Sequence, residues 1–540
     1  MVDVTTQNFQ EILCLVEKDL QEASFTCLDF EFSGLHTSNC HPISLFDTPP
    51  ERYKLLCKSC QDFTVLQCGI SIFCYDSVSR TYQSNTYNFF LFPRDFQSIR
   101  RQTYFESAAS EFLMKFDFDF NKCFYGGITF LNEEEILSIQ HNKKFKFEYT
   151  EDIVLNNVKS SFRQKKLDIL EKWSSESRPG ETIEIDCMTT GMLEVLKHDT
   201  LNKFDDLLPE ILEGESSTFV VRKTTKESKA EYLEAMDVMI NKKLHEAIGF
   251  THIIRLMRKY KRPIVGHNLV LDIMYVYEKF FRPLPDSYDD FKLCVANEFP
   301  PIYDTRHIIN NIKVEIKTDR KYKELLKGSS LLSLYNEVNH DGIKGIIYQP
   351  TVTDNMNEYC GMREHDAGYD SCLVGHVFIR LAHFYTYWNN NSPSIKPFHL
   401  QDYFREFSKF KNCLNLIRCD ATHMNLDKSD PTTKRPQWLV VTCRDNSDIH
   451  EKQILNVFSA FGNVSVKKLT GKKCIVAMPS INMAAGLLVE MKDHPKFSVS
   501  RYNPQTSFLK KALLYAAFSS FAVIGGWVLC KSLNRINLGI

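Results

Sequence analysis

The sequence predicts a mixed α/β protein: a sheet-centred core interrupted by a small α/β insert, a second small α/β module behind it, and an apolar helix near the end. Three observations carry this. Short apolar, β-prone runs, Phe25–Phe32 and Pro263–Gly266 the clearest, alternate with helical periodicity such as Leu373, Val374, Val377, Phe378 and Leu381. Between about residues 150 and 245 the composition turns polar and charged (KSSFRQKKLD, SSESRPGETIE, RKTTKESKAE). Residues 512–530, ALLYAAFSSFAVIGGWVLC, run for nineteen positions without a charge.

The first strand carries the first chemistry. In Phe25-Thr26-Cys27-Leu28-Asp29-Phe30-Glu31-Phe32 the residues i and i+2 project from one face, so Asp29 and Glu31 point together near a strand end. Two like charges held that close repel, and burying them is costly unless something cationic neutralises them. A pair of divalent ions does so and suits phosphoryl transfer; alternation on a solvated strand face is the plainer alternative. Pro263-Ile264-Val265-Gly266-His267-Asn268 reads as a short buried strand feeding a helix, with Asn268 at the N-cap and Asp272 about one turn in. His365-Asp366-Ala367-Gly368-Tyr369-Asp370 opens another helix, with Asp370 at helical spacing from its apolar stripe. Taken singly, Asp272 or Asp370 is a helix-start acid favoured by the dipole. Together the chain offers four acids beside strand ends or helix starts, with His365 five residues before the last.

The pattern D-x-E, GHN-x3-D, H-x4-D resembles the DEDD exonucleases of the His-containing subclass. More closely, DFEFSGL (Asp29 to Leu35), DTPPERY (Asp47 to Tyr53), FDFNKCFYGGITFLN (Phe118 to Asn132), PIVGHNLVLDIM (Pro263 to Met274), YDT (Tyr303 to Thr305) and HDAGYD (His365 to Asp370) resemble the poly(A)-specific ribonuclease family. These segments span roughly residues 1–430 in the expected order. Phe30 stands where that family has a small residue and Asp366 where it has Glu; neither replaces a catalytic acid. The resemblance implies an RNase H-like core and two-metal hydrolysis of single-stranded RNA from its 3′ end. Asp29 would bridge two Mg²⁺ ions, with Mn²⁺ able to substitute. Glu31 and Asp370 would complete the ion holding the attacking water, and Asp272 would serve the other. Oxygen ligands suit these hard cations. His365 would be the general base, its ordinary pKa of about 6.5 matching proton removal near neutrality. Phe32 and Leu35 either floor the site as a stacking surface for terminal bases or pack in the core. The basic run Arg255, Arg258, Lys259, Lys261, Arg262 fits a solvated helix end better than a phosphate contact.

Composition bounds the rest. A chain of 540 residues has room for two to four domains, and 43% hydrophobic residues allow sizeable cores. A net charge of −1 leaves any attraction to RNA to local patches. Seventeen cysteines show no repeating framework; Cys57 and Cys60 make a C-x2-C without a second pair at zinc spacing. The N-terminus lacks a charged start followed by an apolar stretch, so no secretory leader and a reducing, cytosolic setting are expected.

The domain reading is a nuclease core over residues 1–149 and 246–428, an insert over 150–245, a module over 436–505 and an anchor over 512–530. The family carries a nucleic-acid-binding module marked by Arg-x3-His at the insert. That pair is missing here, so the insert reads as a degenerate form of that module. Residues Gln437–Thr442, Ile449–Phe461, Val464–Lys468 and Lys473–Met478 follow a β-α-β-β order that resembles an RNA-recognition motif (RRM) without its stacking aromatics or the family's cap-binding tryptophan. The run 512–530 would extend about 28 Å as a helix, close to a bilayer core of about 30 Å. Lacking the cap tryptophan and ending in such a run, the chain resembles the family's membrane-anchored trimmers of PIWI-interacting RNA precursors. That resemblance implies a cytosol-facing enzyme on the mitochondrial outer membrane, or else the endoplasmic reticulum. It also implies a PIWI protein carrying precursor RNA and a Tudor-domain scaffold as partners. A membrane-tethered poly(A) deadenylase and an inactive RNA-binding scaffold are the competing functions.

Overall fold

The computed structural model describes residues 1–37, 43–97, 99–144, 160–186, 190–210, 218–320, 322, 326–328, 330–339, 350–354, 364–390, 397–432 and 438–502. The apolar run expected to anchor the chain, 512–530, lies outside the described residues. Among the described residues no helix is long and apolar enough to cross a membrane.

The chain divides into two compact units. The first comprises Met1–Cys40, Lys54–Asn415 and Asn425–Ser429. Its strands are β1 (Val2–Val4), β2 (Phe25–Phe32), β3 (Val65–Asp76), β4 (Thr81–Phe90), β5 (Thr182–Asp186), β6 (Leu207–Glu210), β7 (Thr218–Lys223), β8 (Ile264–Gly266), β9 (Ile302–Asp304), β10 (Val352–Asp354) and β11 (Cys413–Asn415). The main sheet runs β1-β4-β3-β2-β8-β9-β11, with β10 also on β4. An antiparallel meander β2-β3-β4 is continued by β8 and β9 parallel to β2. This is the mixed α/β core that the sequence pattern outlines.

β3, rich in Val, Ile and Phe, is buried along nine consecutive residues because both its faces are covered. The helix Ala367–Asn390 packs across β2, β3 and β4. Its stripe Leu373, Val374, Val377, Phe378 and Leu381 is buried, and Phe378 leans on Phe25, which stacks on Phe73 at 4.9 Å. The pattern along β2 changes at its end. Phe25–Leu28 are buried on both faces, whereas half-buried Asp29 and Glu31 alternate with buried Phe30 and Phe32. The strand leaves the core with its acids on the open side.

The insert is a separate three-stranded antiparallel sheet, β5-β7-β6, with helices Ser160–Glu176 and Thr190–Lys203 around the core Leu170, Leu196, Phe219 and Val221. The Lys229 ammonium is buried against the carbonyl oxygens of Thr200, Leu201 and Phe204, satisfying acceptors at the end of the second helix. The helix Lys226–Ile248 returns the chain to the core. Exit and entry points touch there: Phe130 bridges Gly249, and the Phe250 N–H donates to Thr129 O at 3.0 Å. Gly249 has φ 49°, and a Cβ there would lie 1.9 Å from Thr129 O, so only glycine closes this junction.

The second unit comprises His41–Tyr53, Leu416–Met424 and Asp430–Ile540. Strands Leu439–Cys443, Ser465–Thr470, Lys473–Ala477 and Phe497–Arg501 form an antiparallel sheet with Lys473–Ala477 and Leu439–Cys443 central. Helices Glu451–Phe458 and Ile481–Glu490 cover one face through Ile454, Phe458 and Leu487. The second helix and last strand complete a βαββαβ order that the sequence reading outlined only through its third strand. The opposite face is not open. Ile475 and Ala477 point away from Cys474 and Val476 yet are also buried. On this side the Leu45 N–H donates to Ser465 Oγ at 2.9 Å, and Phe46 meets Trp438 edge-on at 5.0 Å. The Arg52–Asp47 ion pair, 2.9 Å and almost fully buried, knits the DTPPERY segment that lies here.

Candidate active site

The site grows from the ladder between β2 and β3. Asp29 stands opposite Gly69 and Glu31 opposite Gln67. A Cβ on residue 69 would lie 1.8 Å from the Ala367 carbonyl oxygen, so the glycine lets the helix Ala367–Asn390 begin directly over β3. Ser71 Oγ and Ser371 Oγ, 2.8 Å apart, pin the next turn. Asp370 thereby arrives beside the strand acids.

The start of that helix is held by side chains. Ala367 N–H donates to Gln67 Oε1 (2.9 Å), Gly368 N–H to Asn88 Oδ1 (3.1 Å) and Tyr369 N–H to Asp366 Oδ1 (3.2 Å). His365 precedes the helix in the left-handed region, φ 63°, which is uncommon for a non-glycine residue. Its N–H donates to Asp370 Oδ2 at 3.2 Å, and its ring sits edge-on between Phe112 (4.5 Å) and Phe116 (4.3 Å). Ligating atoms of Glu31, His365 and Asp370 all lie within 4.8 Å of one another.

Asp272 comes from the short helix Val270–Val276, and here the structure corrects the sequence reading. Asn268 is not the N-cap; Leu269 is, and Asn268 has φ 67°. The buried carboxylate of Asp304, at the end of β9, holds the turn ahead of this helix and caps the next one, Thr305–Ile316. It accepts from the amides of Asn268 (2.9 Å), Leu269 (3.1 Å), Arg306 (2.9 Å) and Asn415 (2.8 Å). Asn268 turns its side chain instead to Asn415, whose Nδ2 donates to Asn268 Oδ1 at 2.9 Å. One aspartate therefore fixes three chain segments behind Asp272.

The electrostatics follow from this crowding. Burial, reinforced by Asp370, Glu31, Asp272 and Asp366, holds the Asp29 carboxyl well above the usual range. Burial, then Asp370, Asp272 and Asp366, does the same to Glu31. Asp272 is pushed up to about 7 by burial and by Asp304. Asp370 is also pushed up to about 7, mainly by burial, although the His365 N–H works against it. Among the described residues, no Lys or Arg figures in the charges acting on these four groups. Converging carboxylates without a cationic side chain fit divalent cations bound through oxygen. Burial lowers the His365 pKa, which keeps its ring neutral at physiological pH.

The structure thus brings Asp29, Glu31, Asp272, His365 and Asp370 together. It separates the two flanking candidates. Phe32 is buried with its ring stacked on Tyr275 at 4.2 Å, which is the packing alternative. Leu35 is 40% exposed beyond the acids. Its N–H and that of His36 donate to Glu106 Oε2. Next to Glu106 begins an aromatic shelf: Tyr104 is 59% and Tyr125 83% exposed, Phe105 meets Phe124 at 5.8 Å, and Arg94 lies over Phe92 at 5.7 Å. The basic run is engaged in ion pairs near the surface, Arg255 with Glu133, Arg258 with Glu298 and Lys259 with Glu17.

Sequence reasoning missed Gln67, Gly69, Asn88, Asp304 and the shelf. A glycine inside the β-branched run VLQCGISIF was the available signal, since such a glycine marks close backbone approach. A second His/Cys/Asp cluster, Asp354, Cys372 and His376, also converges. Arg380 donates to His376 Nδ1 at 2.8 Å, so Nε2 carries the proton and donates to Asp354, also at 2.8 Å. That tautomer makes a hydrogen-bond relay and leaves the ring no lone pair for a metal.

Similarity to known proteins identifies the family. The CAF1 family ribonuclease profile matches residues 4–378. The chain is 28% identical over 515 residues to "Poly(A)-specific ribonuclease PNLDC1" of Mus musculus, covering 93% of this chain and 94% of that one. It is 26% identical over 532 residues to "Pre-piRNA 3'-exonuclease trimmer" of Bombyx mori, covering 98% of each. It is 29% identical over 508 residues to "Poly(A)-specific ribonuclease PARN" of Danio rerio, covering 88% of this chain and 73% of that one. With the four acids and His365 drawn into one recess inside the matched span, the chain belongs to the CAF1 family of ribonucleases.

Proposed function

We propose that this ribonuclease removes nucleotides from the 3′ ends of single-stranded RNA, its substrates being precursors of PIWI-interacting RNAs. The observation that carries the reaction class is the convergence of Asp29, Glu31, Asp272 and Asp370 with a neutral His365. The substrate reading is supported by the Bombyx mori trimmer, matched along 98% of both chains.

Asp29, Glu31, Asp272 and Asp370 would hold two Mg²⁺ ions, or Mn²⁺ in their place. Such ions supply a more acidic attacking water and charge neutralisation at the leaving oxygen. The protein's own part is orientation and proton transfer. His365 accepts the proton of the attacking water, its ring plane set by Phe112 and Phe116 and its backbone by Asp370. The shelf of Tyr104, Phe105, Phe124 and Tyr125, tied through Glu106 to the residues after β2, offers stacking faces for upstream bases.

The uncharged run 512–530 fits a tail anchor in the mitochondrial outer membrane, or in the endoplasmic reticulum. There a PIWI protein carrying precursor RNA and a Tudor-domain scaffold would be its partners, tethering raising local concentration. Sedimentation of the chain lacking 512–540 with membranes would remove the anchor from this reading. A membrane-tethered poly(A) deadenylase is the second reading, supported by the Danio rerio relative.

The deciding experiment compares free poly(A) with a mixed-sequence RNA loaded on a PIWI protein, with and without the scaffold. Faster shortening of the loaded RNA is expected; preference for free poly(A) would favour the deadenylase. In the same assay Tyr125→Ala is expected to weaken binding of RNA longer than five nucleotides about 5- to 10-fold. Its affinity for a dinucleotide should not change. Equal loss for both lengths would count against the shelf.

A further inference from the structure

A helix leaves its first N–H groups without intrahelical partners, and a residue at its own N-cap usually satisfies one or two of them. In the helix Ala367–Asn390, Asp366 supplies that local cap: its Oδ1 takes the Tyr369 N–H and its carbonyl the Asp370 N–H. The two remaining amides are met from elsewhere, by Gln67 on β3 and Asn88 on β4. Both side chains are almost fully buried, at 1% and 0% exposure. Apolar residues would fill the middle of a sheet at lower desolvation cost.

The register gives these polar residues a meaning. Glu31 pairs with Gln67, so an acid and a helix-capping acceptor occupy one rung of the ladder. Asp29 pairs with Gly69, and Gly69 with Asn88, so the next acid shares its rung with the second acceptor. The glycine between them removes the side chain that would hold the helix off the sheet. Asn88 is itself oriented: its Nδ2 donates to Asp366 Oδ2 (3.2 Å) and Asp3 Oδ1 (3.3 Å), and Asp3 is held by Lys122 at 2.7 Å. With the amide nitrogen so engaged, Oδ1 must face Gly368.

We propose that Gln67 and Asn88 are positioning residues of the hydrolytic site. Their side-chain carbonyls fix the height and rotation of the helix's first turn above the rungs that carry Asp29 and Glu31, and so set where Asp370 and His365 meet those acids. The proposal rests on the metal-dependent reading of the site given above. It assigns to two uncharged strand residues a control over cation affinity that their chemistry alone does not suggest.

The test uses the full chain with Gln67→Met, which keeps the length but loses the acceptor, and Gln67→Glu, which keeps an acceptor that a helix N-terminus favours. Three quantities are read: amide hydrogen exchange at residues 367–370, Mn²⁺ binding to the metal-free protein, and single-turnover shortening of a 3′-labelled RNA. Gln67→Met is expected to speed exchange at Ala367 and to weaken both Mn²⁺ binding and the single-turnover rate about 10- to 100-fold. RNA affinity should stay near wild type, and melting temperature should fall only by the few degrees that one unmet buried amide costs. Gln67→Glu is expected to recover Mn²⁺ binding to within about threefold of wild type. Faster exchange at Ala367 with unchanged Mn²⁺ binding would overturn the proposal, as would parallel loss of every property together with thermal stability. Should Gln67→Met fail to fold, Asn88→Ser, which shortens the second acceptor, is read by the same three measures. If the wild-type chain shortens no RNA, the proposed function falls, while exchange and Mn²⁺ binding still decide the positioning role.

Discussion

Asp29→Asn is expected to abolish RNA shortening and to make the metal-free protein more stable than wild type. The two effects have one origin. Asp29 sits in the middle of the charges that raise the carboxyl pKa values, with Asp370, Glu31, Asp272 and Asp366 all acting on it. If Asp29 holds metal as proposed, its loss is expected to cost ~10⁴-fold or more in single-turnover rate. As one of several like charges, its neutralisation relieves repulsion in the metal-free state. The sign is set by the direction of the shifts. Asp272 and Asp370 titrate near 7 in the folded chain, against a carboxyl value of about 4 when unfolded. Between these values the folded state keeps protons that the unfolded state has released. Their stabilising contribution, complete below about pH 4, is therefore lost as pH rises toward 7, on the order of a few kcal/mol for the group of acids. Calorimetry in EDTA should show a melting temperature that falls from pH 5 to pH 8, less steeply in Asp29→Asn, and Mn²⁺ should restore it in wild type alone. A variant that still shortens RNA, or that is less stable than wild type without metal, would remove the assignment of Asp29.

His365→Ala should slow the chemical step by ~10²- to 10⁴-fold while leaving RNA and Mn²⁺ affinity within a few-fold of wild type. The reasoning starts from the backbone. A non-glycine residue in the left-handed region is held there at a cost, and here the Asp370 carboxylate receives its N–H while two phenylalanine edges fix its ring. Such an arrangement orients one imidazole nitrogen toward the acids, and burial keeps it able to accept a proton at pH 7. Truncation leaves a slot between Phe112 and Phe116. Added imidazole should fill that slot and recover part of the rate, with little effect on wild type. Weakened metal binding without imidazole rescue would turn His365 from base into ligand.

The acids were legible because their signal is local. Alternation put Asp29 and Glu31 on one face, and helical spacing put Asp370 one turn before its stripe; the structure adds only that the faces converge. What escaped the sequence is non-local. Asn268 reads as a cap by residue type, but its own amide is held by Asp304, thirty-six positions away, and its side chain by Asn415. Gln67 and Asn88 look like ordinary polar strand residues until a helix begun some three hundred and two hundred and eighty positions later is seen to rest on them. Phe32 could not be placed by pattern, because the face it buries depends on Tyr275 from another segment. The second unit's covered sheet face escaped for the same reason, since its cover comes from residues near Phe46.

The junction where Phe130 meets Gly249 has a consequence for how such enzymes diversify. Because departure and return are adjacent, everything between them is a detour, and lengthening a detour is cheap: each doubling of a loop costs only about 0.6 kcal/mol. A lineage can therefore erode, swap or enlarge that passenger while selection on hydrolysis continues undisturbed. Substrate choice can then drift on a detachable part without any change to the catalytic groups.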